Sequence, residues 1–243
     1  MSSATQSDRQ CSLDPQAAAV LARVAHEMRQ PLSAAAAAVC VIKAIDTDAQ
    51  RRDHACQLLE RQCTRLSRLV EDLAVIARVG SDRTTLTREK LELNGILSDL
   101  MESFQPLITR KGLHLEVVPA TRPCWMNVDE FRLDQVFSNI VANAIKYTDP
   151  GGRIWISVAP ADETVAVTVS DTGRGIPPEM LPRVFEMFTT GSDETGRRGL
   201  GVGLAVARHL VHLHGGSIAI ASGGAGCGTE VVVRLPGLST VGK

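Results

Sequence analysis

Between Pro15 and Val79 apolar residues return every three, four or seven positions. Ala17, Leu21, Val24, Met28, Ala35 and Ile42 form one series, and Leu59, Leu66, Leu69, Leu73 and Ile76 form another. Such spacing keeps side chains on one face of an α-helix, so the pattern predicts two long helices with a heptad-like seam. Ile45-Asp46-Thr47-Asp48 interrupts the pattern as a turn and supplies an N-cap for the second helix. Two helices joined by so short a loop form an antiparallel hairpin. A hairpin this long buries its apolar stripe poorly alone. Two copies forming a four-helix bundle would cover it, so a homodimer is expected.

After a polar linker the grammar changes to short runs of β-branched residues alternating with amphipathic segments. Strands are predicted near Lys90–Leu93, Leu113–Val118, Cys124–Val128, Arg153–Ala159, Val165–Ser170, Ser217–Ala221 and Thr229–Leu235. Helices are predicted near Asn94–Arg110, Asp129–Tyr147 and Gly203–His214. The expected class is α+β: the hairpin, then a sheet covered on one face by helices. The expected division is a disordered N-terminus at 1–13, a hairpin at 14–79, a linker at 80–87, an α/β-sandwich domain at 88–237 and a tail at 238–243.

Composition narrows the function classes. The 243 residues carry a net charge of -1 and only 3% aromatics, so neither a polyanion-binding surface nor a base-stacking platform is expected. No run approaches the ~20 apolar residues that span a bilayer, and Met1–Leu13 lacks a signal-peptide core. No direct membrane insertion and a cytoplasmic location are the expectation. The six cysteines form no CxxC pair, and buried reduced thiols are the simplest reading.

Four places carry candidate chemistry. His26 lies two positions from both Val24 and Met28, hence about 200° from each on a helix, and points to solvent. Glu27 follows it, and Pro31 offers a kink nearby. Asn139, Asn143 and Lys146 share one edge of the helix whose buried stripe is read as Phe131, Leu133, Val136, Phe137, Ile140, Val141 and Ile145. Two amides and an ammonium in a row suit a polyphosphate with a hydrated Mg²⁺. Asp171 closes a strand before Gly173 and Gly175, where its carboxylate can accept a hydrogen bond from an adenine amino group. RGLGVGL, Arg198–Leu204, opens a helix with alternating Gly199, Gly201 and Gly203, which suits phosphate. The segment from Thr172 to Arg198, with Phe185 and Phe188, is a candidate lid.

Together these motifs resemble the histidine kinases of two-component signalling, whose ATP-binding fold is similar to that of gyrase, the Hsp90 chaperones and MutL. HEMRQPL looks like the H box, NIVANAIKYT the N box, DTGRGIP the first glycine box, VFEMF the F box and GLGVGL the second glycine box, in family order from Val20 to Leu235. The resemblance implies that His26 is the phosphoacceptor and Glu27 its general base. It implies Mg²⁺ held by Asn143 with Asn139 beside it. ATP would lie among Asn139, Asn143, Lys146, Tyr147, Asp171, Gly173, Gly175, Ile176, Phe188, Gly199, Leu200, Gly201, Gly203 and Leu204. The phosphoryl group would pass to an aspartate of a response-regulator receiver domain.

Two positions sharpen the reading. In the related ATPases the residue matching Asn139 is a glutamate that activates water, a role an amide cannot fill. Gln30 stands where the family commonly has threonine or asparagine, one turn after the histidine. No sensory or receiver domain is recognisable, so the chain is either regulated by a separate sensor subunit or part of a longer protein. The competing readings are an ATPase of the same fold and an ATP-binding pseudokinase or scaffold.

Overall fold

A computed structural model describes residues 15–44, 48–78, 85–161, 163–189 and 201–238. The chain divides into two compact units after Glu71. The predicted Ile45–Thr47 part of the turn, the N-terminal segment and most of the linker lie outside the described residues.

The first unit holds the hairpin as far as Glu71, and the last residues of its second helix count with the second unit. Helix α1 spans Pro15–Ala44 and continues through Pro31, and α2 spans Ala49–Arg78. Asp48 caps α2: its Oδ1 accepts the Arg51 N–H at 3.1 Å, satisfying one of the donors a helix start leaves open. The buried stripe of α1 is Val24, Glu27, Pro31, Ala35 and Ala38, answered on α2 by buried Ala55. The predicted seam residue Met28 is half-buried beside this stripe. On α2 the predicted seam residues Leu59, Leu66, Leu69 and Leu73 are half-buried in the single chain.

The second unit contains strands β1 (Glu89–Glu92), β2 (His114–Val118), β3 (Trp125–Val128), β4 (Arg153–Pro160), β5 (Thr164–Asp171), β6 (Ser217–Ala221) and β7 (Thr229–Pro236). Helices α3 (Leu93–Lys111), α4 (Glu130–Tyr147) and α5 (Gly203–Leu213) alternate with them. A five-stranded mixed sheet has the order β2-β4-β5-β7-β6, in which β2 and β4 are parallel and the other pairs antiparallel. Strands β1 and β3 form a separate antiparallel ribbon, a partition the sequence pattern did not predict. Alternation sets the faces: Ile154, Ile156, Val165, Val167, Val169, Val231, Val233 and Leu235 point into the core with the apolar sides of the three helices.

One predicted core residue is corrected. Phe131 is 57% exposed, with the Arg132 guanidinium 5.3 Å from its ring centroid. It sits about 200° around α4 from Leu133 and misses the stripe. The other six predicted residues of that stripe are buried. The cysteine expectation is corrected as well: Cys40, Cys63 and Cys227 are exposed and Cys56 half-buried, whereas Cys124 is buried. Among the described residues no helix is long and apolar enough to cross a membrane.

A buried histidine ties the start of α4 to the end of α5. His214 Nε2 accepts the Asp129 N–H at 3.1 Å, and its Nδ1 lies 2.8 Å from the Leu210 carbonyl, so Nδ1 carries the proton of the neutral ring. The Asp129 carboxylate caps α4 through the Arg132 N–H and also accepts the Thr87 N–H at 2.9 Å. Arg88 reaches the Leu213 carbonyl at 2.8 Å. Burial above all, with Arg88 adding to it, holds His214 below its ordinary pKa of 6.5, against the opposing pull of the Leu210 carbonyl and Asp129. The unfolded chain therefore binds this proton first. The contribution of His214 is whole above 6.5 and is lost as pH falls through its folded value. His214→Ala should cost about 2–4 kcal/mol at neutral pH, because it opens a cavity and strands the Asp129 N–H. Urea unfolding at several pH values checks both the loss and the flatter pH dependence of the variant.

Candidate nucleotide site

Helix α4 and the carboxyl end of β5 build one side of a cavity. Asp129 fixes the start of α4, and the helix then carries Ile140, Asn143, Ala144 and Tyr147 to the cavity wall. Strand β5 delivers Asp171 at its last residue, and the chain turns at Gly173. The Gly173 N–H donates to Asp171 Oδ1 at 2.7 Å. A side chain at Gly173 would meet that oxygen and the Tyr147 carbonyl, both 2.6 Å away. Only glycine lets the loop fold this closely under the carboxylate.

The cavity holds about 150 Å³, far above the ~10–15 Å³ that one buried water occupies. Its walls are mostly apolar, with Val169, Ile176, Met180, Leu204 and Val231 prominent; Asn143, Tyr147, Asp171 and Thr229 supply polar groups. Burial pushes the Asp171 carboxyl above its usual range, while the Gly173 and Thr229 N–H groups pull it partly back. An apolar slot with one fixed carboxylate suits a flat heteroaromatic ring bearing an exocyclic amine.

The predicted residues divide into three sets. Asn143, Tyr147, Asp171, Gly175, Ile176 and Leu204 line the cavity. Asn139, Lys146, Gly173, Phe188, Gly201 and Gly203 lie outside its lining. Asn139 Nδ2 donates to the Gly203 carbonyl at 3.2 Å, tying α4 to the first residue of α5. Lys146 Nζ sits 4.7 Å from the Tyr147 ring centroid and 3.1 Å from its hydroxyl. Phe188 has φ +65°, uncommon for a residue with a side chain, and its N–H donates to the Gly201 carbonyl at 2.8 Å. Gly199 and Leu200, with residues 190–198 of the candidate lid, lie outside the described residues. Helix α5 starts at Gly203, and the side chain of its N-cap residue Val202 makes no capping hydrogen bond.

The sequence reading missed Thr229, Met180, Val184, Thr189, Ile220 and Val231, which also line the cavity. The signal for Thr229 and Val231 was the alternation of β7. Met180 and Val184 flank a single 3-10 turn, Leu181–Arg183, that has no periodic signature.

In the hairpin, His26 is exposed on α1 and so is Gln30, one turn later. Glu27 is 9% exposed and turned toward the seam. Next to an exposed imidazole it is the acid of the pair that the fold shelters.

Comparison with known proteins assigns both units. A family model described as "His Kinase A (phospho-acceptor) domain" matches residues 16–82, and one described as "Histidine kinase-, DNA gyrase B-, and HSP90-like ATPase" matches 128–238. The chain belongs to the histidine kinase family. Sensor histidine kinase RppB of Synechocystis sp. (strain ATCC 27184 / PCC 6803 / Kazusa) is 33% identical over 218 residues, covering 88% of this chain and 48% of RppB. Sensor protein SrrB of Staphylococcus aureus (strain NCTC 8325 / PS 47) is 28% identical over 228 residues, covering 93% of this chain and 39% of SrrB. The chain thus spans half or less of these curated relatives. The full-length structure of ShkA in complex with AMPPNP aligns with a TM-score of 0.68 at 26% identity, over 95% of this chain and 47% of ShkA. His26 falls inside the phospho-acceptor match, and every candidate nucleotide residue from Asn139 to Leu204 falls inside the ATPase match. The histidine kinase assignment therefore rests on both units, and the cavity lies wholly within the ATPase part.

Proposed function

We propose that the chain uses Mg·ATP to phosphorylate His26 and passes the phosphoryl group to an aspartate of a response-regulator receiver domain. The observation that carries this reading is the cavity, where the Asp171 carboxylate and the Asn143 amide meet an apolar slot that Leu204, at the start of α5, also lines. ShkA, a relative by fold and sequence, was solved with the ATP analogue AMPPNP. In this reading Asp171 accepts a hydrogen bond from the adenine amine, Ile176 and Leu204 sandwich the ring, and Asn143 faces the phosphates. Lys146, now resting on Tyr147, swings out to neutralise phosphate charge.

The donor set fits Mg²⁺. Magnesium takes oxygen ligands, keeps several waters and relies on substrate phosphates more than on a protein cage, so an amide oxygen can supply one place in its shell. Asn143 would hold it, with Asn139 nearby. When bound, the ion neutralises charge on the phosphate oxygens. The remaining chemistry belongs to the chain: a ring nitrogen of His26 attacks the γ-phosphorus, the bond from phosphorus to the ADP oxygen breaks, and the ring proton departs. Glu27, adjacent to His26, is the base that accepts that proton. Hydrolysis instead would need a base for water, and Asn139 is an amide already committed to the Gly203 carbonyl.

The half-buried leucines of α2 support a homodimer, because a second copy would complete their burial. Consumption of ATP puts the site on the cytoplasmic side. The test is transfer. Chain incubated with γ-labelled Mg·ATP should give up its label to a receiver domain from the same source, and His26→Ala should bind ATP as the parent does yet pass on nothing. Transfer from His26→Ala at the parental rate would refute the assignment of the phosphoacceptor.

A further inference from the structure

The cavity wall formed by the first glycine loop does not stand by itself. It is fastened to the turn between β6 and β7, a segment to which the nucleotide reading assigns no role. Three contacts join them. The Gly226 N–H donates to the Arg174 carbonyl at 2.7 Å, and the Gly228 N–H to the Gly173 carbonyl at 3.1 Å. Between these, the Ser222 hydroxyl accepts the Ile176 N–H at 2.9 Å and donates its single proton to the Gly228 carbonyl at 2.6 Å. This side chain thus satisfies backbone groups of both segments at once. The two segments also touch so closely that a side chain at Gly175 would collide with the Gly224 carbonyl, and one at Gly228 with the Asp171 carbonyl.

We infer that Ser222 is a positioning residue for nucleotide binding. Its hydroxyl sets the place of Ile176, and with it the apolar wall that the base lies against. The inference rests on reading the cavity as the nucleotide site. Ile176 and its neighbour Pro177 line the cavity, whereas Ser222 does not. Ser222 therefore acts through the loop and not from the cavity wall itself. Replacing it with alanine leaves the Ile176 N–H and the Gly228 carbonyl without their shared partner, and the wall is free to move away from the base. The effect should appear in nucleotide affinity. The phosphates meet Asn143 and the α5 amides, and their geometry does not depend on this lock, so transfer at saturating ATP should persist.

The experiment compares the parent chain, Ser222→Ala and Ser222→Thr by direct ATP binding and by the rate of His26 labelling against ATP concentration. In Ser222→Ala the KM and Kd for ATP should rise roughly tenfold, the equivalent of one net hydrogen bond, with kcat kept. Ser222→Thr retains the hydroxyl and should restore both constants. A Ser222→Ala chain with unchanged KM but reduced kcat or active fraction would overturn the inference, because that is the signature of a general fold defect. A parent chain that fails to bind ATP would overturn the nucleotide reading, and this inference with it. A parent that binds ATP beside an alanine variant of equal affinity would overturn this inference alone. If Ser222→Ala does not fold, amide exchange in the parent decides. The Ile176 N–H should be protected without nucleotide, and exchange at the rate of an open loop would contradict the lock.

Discussion

Asp171→Asn should weaken ATP binding about a hundredfold while leaving the fold intact. The amide keeps an oxygen that can accept the Gly173 N–H at the present 2.7 Å, so the loop retains its shape. Its second position becomes an NH₂ group. That group meets the adenine amine donor to donor, and the charge-assisted hydrogen bond, worth roughly 1.5–3 kcal/mol, is lost as well. Burial pushes the half-buried carboxyl up while the Gly173 and Thr229 N–H groups pull it back, so neutralising it should change the stability of the apo chain little. Calorimetric titration with ATP and a melting curve test the two halves of this prediction separately. Parental affinity in Asp171→Asn would remove the carboxylate from the adenine contact.

Asn143→Ala should lower the rate of His26 labelling by about two orders of magnitude or more, the range seen when one preorganised polar group is removed from a transfer site. Asn143 lines the cavity from the middle of α4 and is not part of the core. Alanine is the better helix former, so the helix itself should not suffer. The hairpin lies in the other unit, and the variant should dimerise as the parent does. Labelling kinetics with sedimentation of the same sample would check both. A variant that labels normally would show that phosphate is held elsewhere, and one that fails to dimerise would show that α4 bears on the hairpin.

The parts of the molecule that were legible in the sequence share a physical cause. Strand β5 and α4 carry strict period-two and period-3.6 patterns, because each presents one face to a single core. Asp171 was legible because it ends a strand and is followed by glycines, one of which, Gly173, donates its N–H to the carboxylate. Contacts between distant segments were not legible. The lock between Arg174 and Gly226 depends on register across β5, β7 and β6, which no local pattern encodes. Phe131 looked like core by type alone, yet its angular position on α4 faces water. Glu27 shows the converse. A charged residue reads as surface, but α1 turns it into the seam between Val24 and Pro31, leaving His26 outside. Lys146 was placed near phosphate by its spacing from Asn139 and Asn143, and only coordinates show it resting on the Tyr147 ring.

The most direct test of the account is the chemistry of the phosphorylated product. The purified chain is incubated with γ-labelled Mg·ATP and denatured, and the label is followed in acid and in alkali, beside His26→Ala. A phosphoramidate on His26 predicts label that survives alkali, disappears in acid and never forms on the variant. Label that survives acid, or that forms equally on His26→Ala, would contradict the account, because the phosphoryl group would then sit on another kind of side chain.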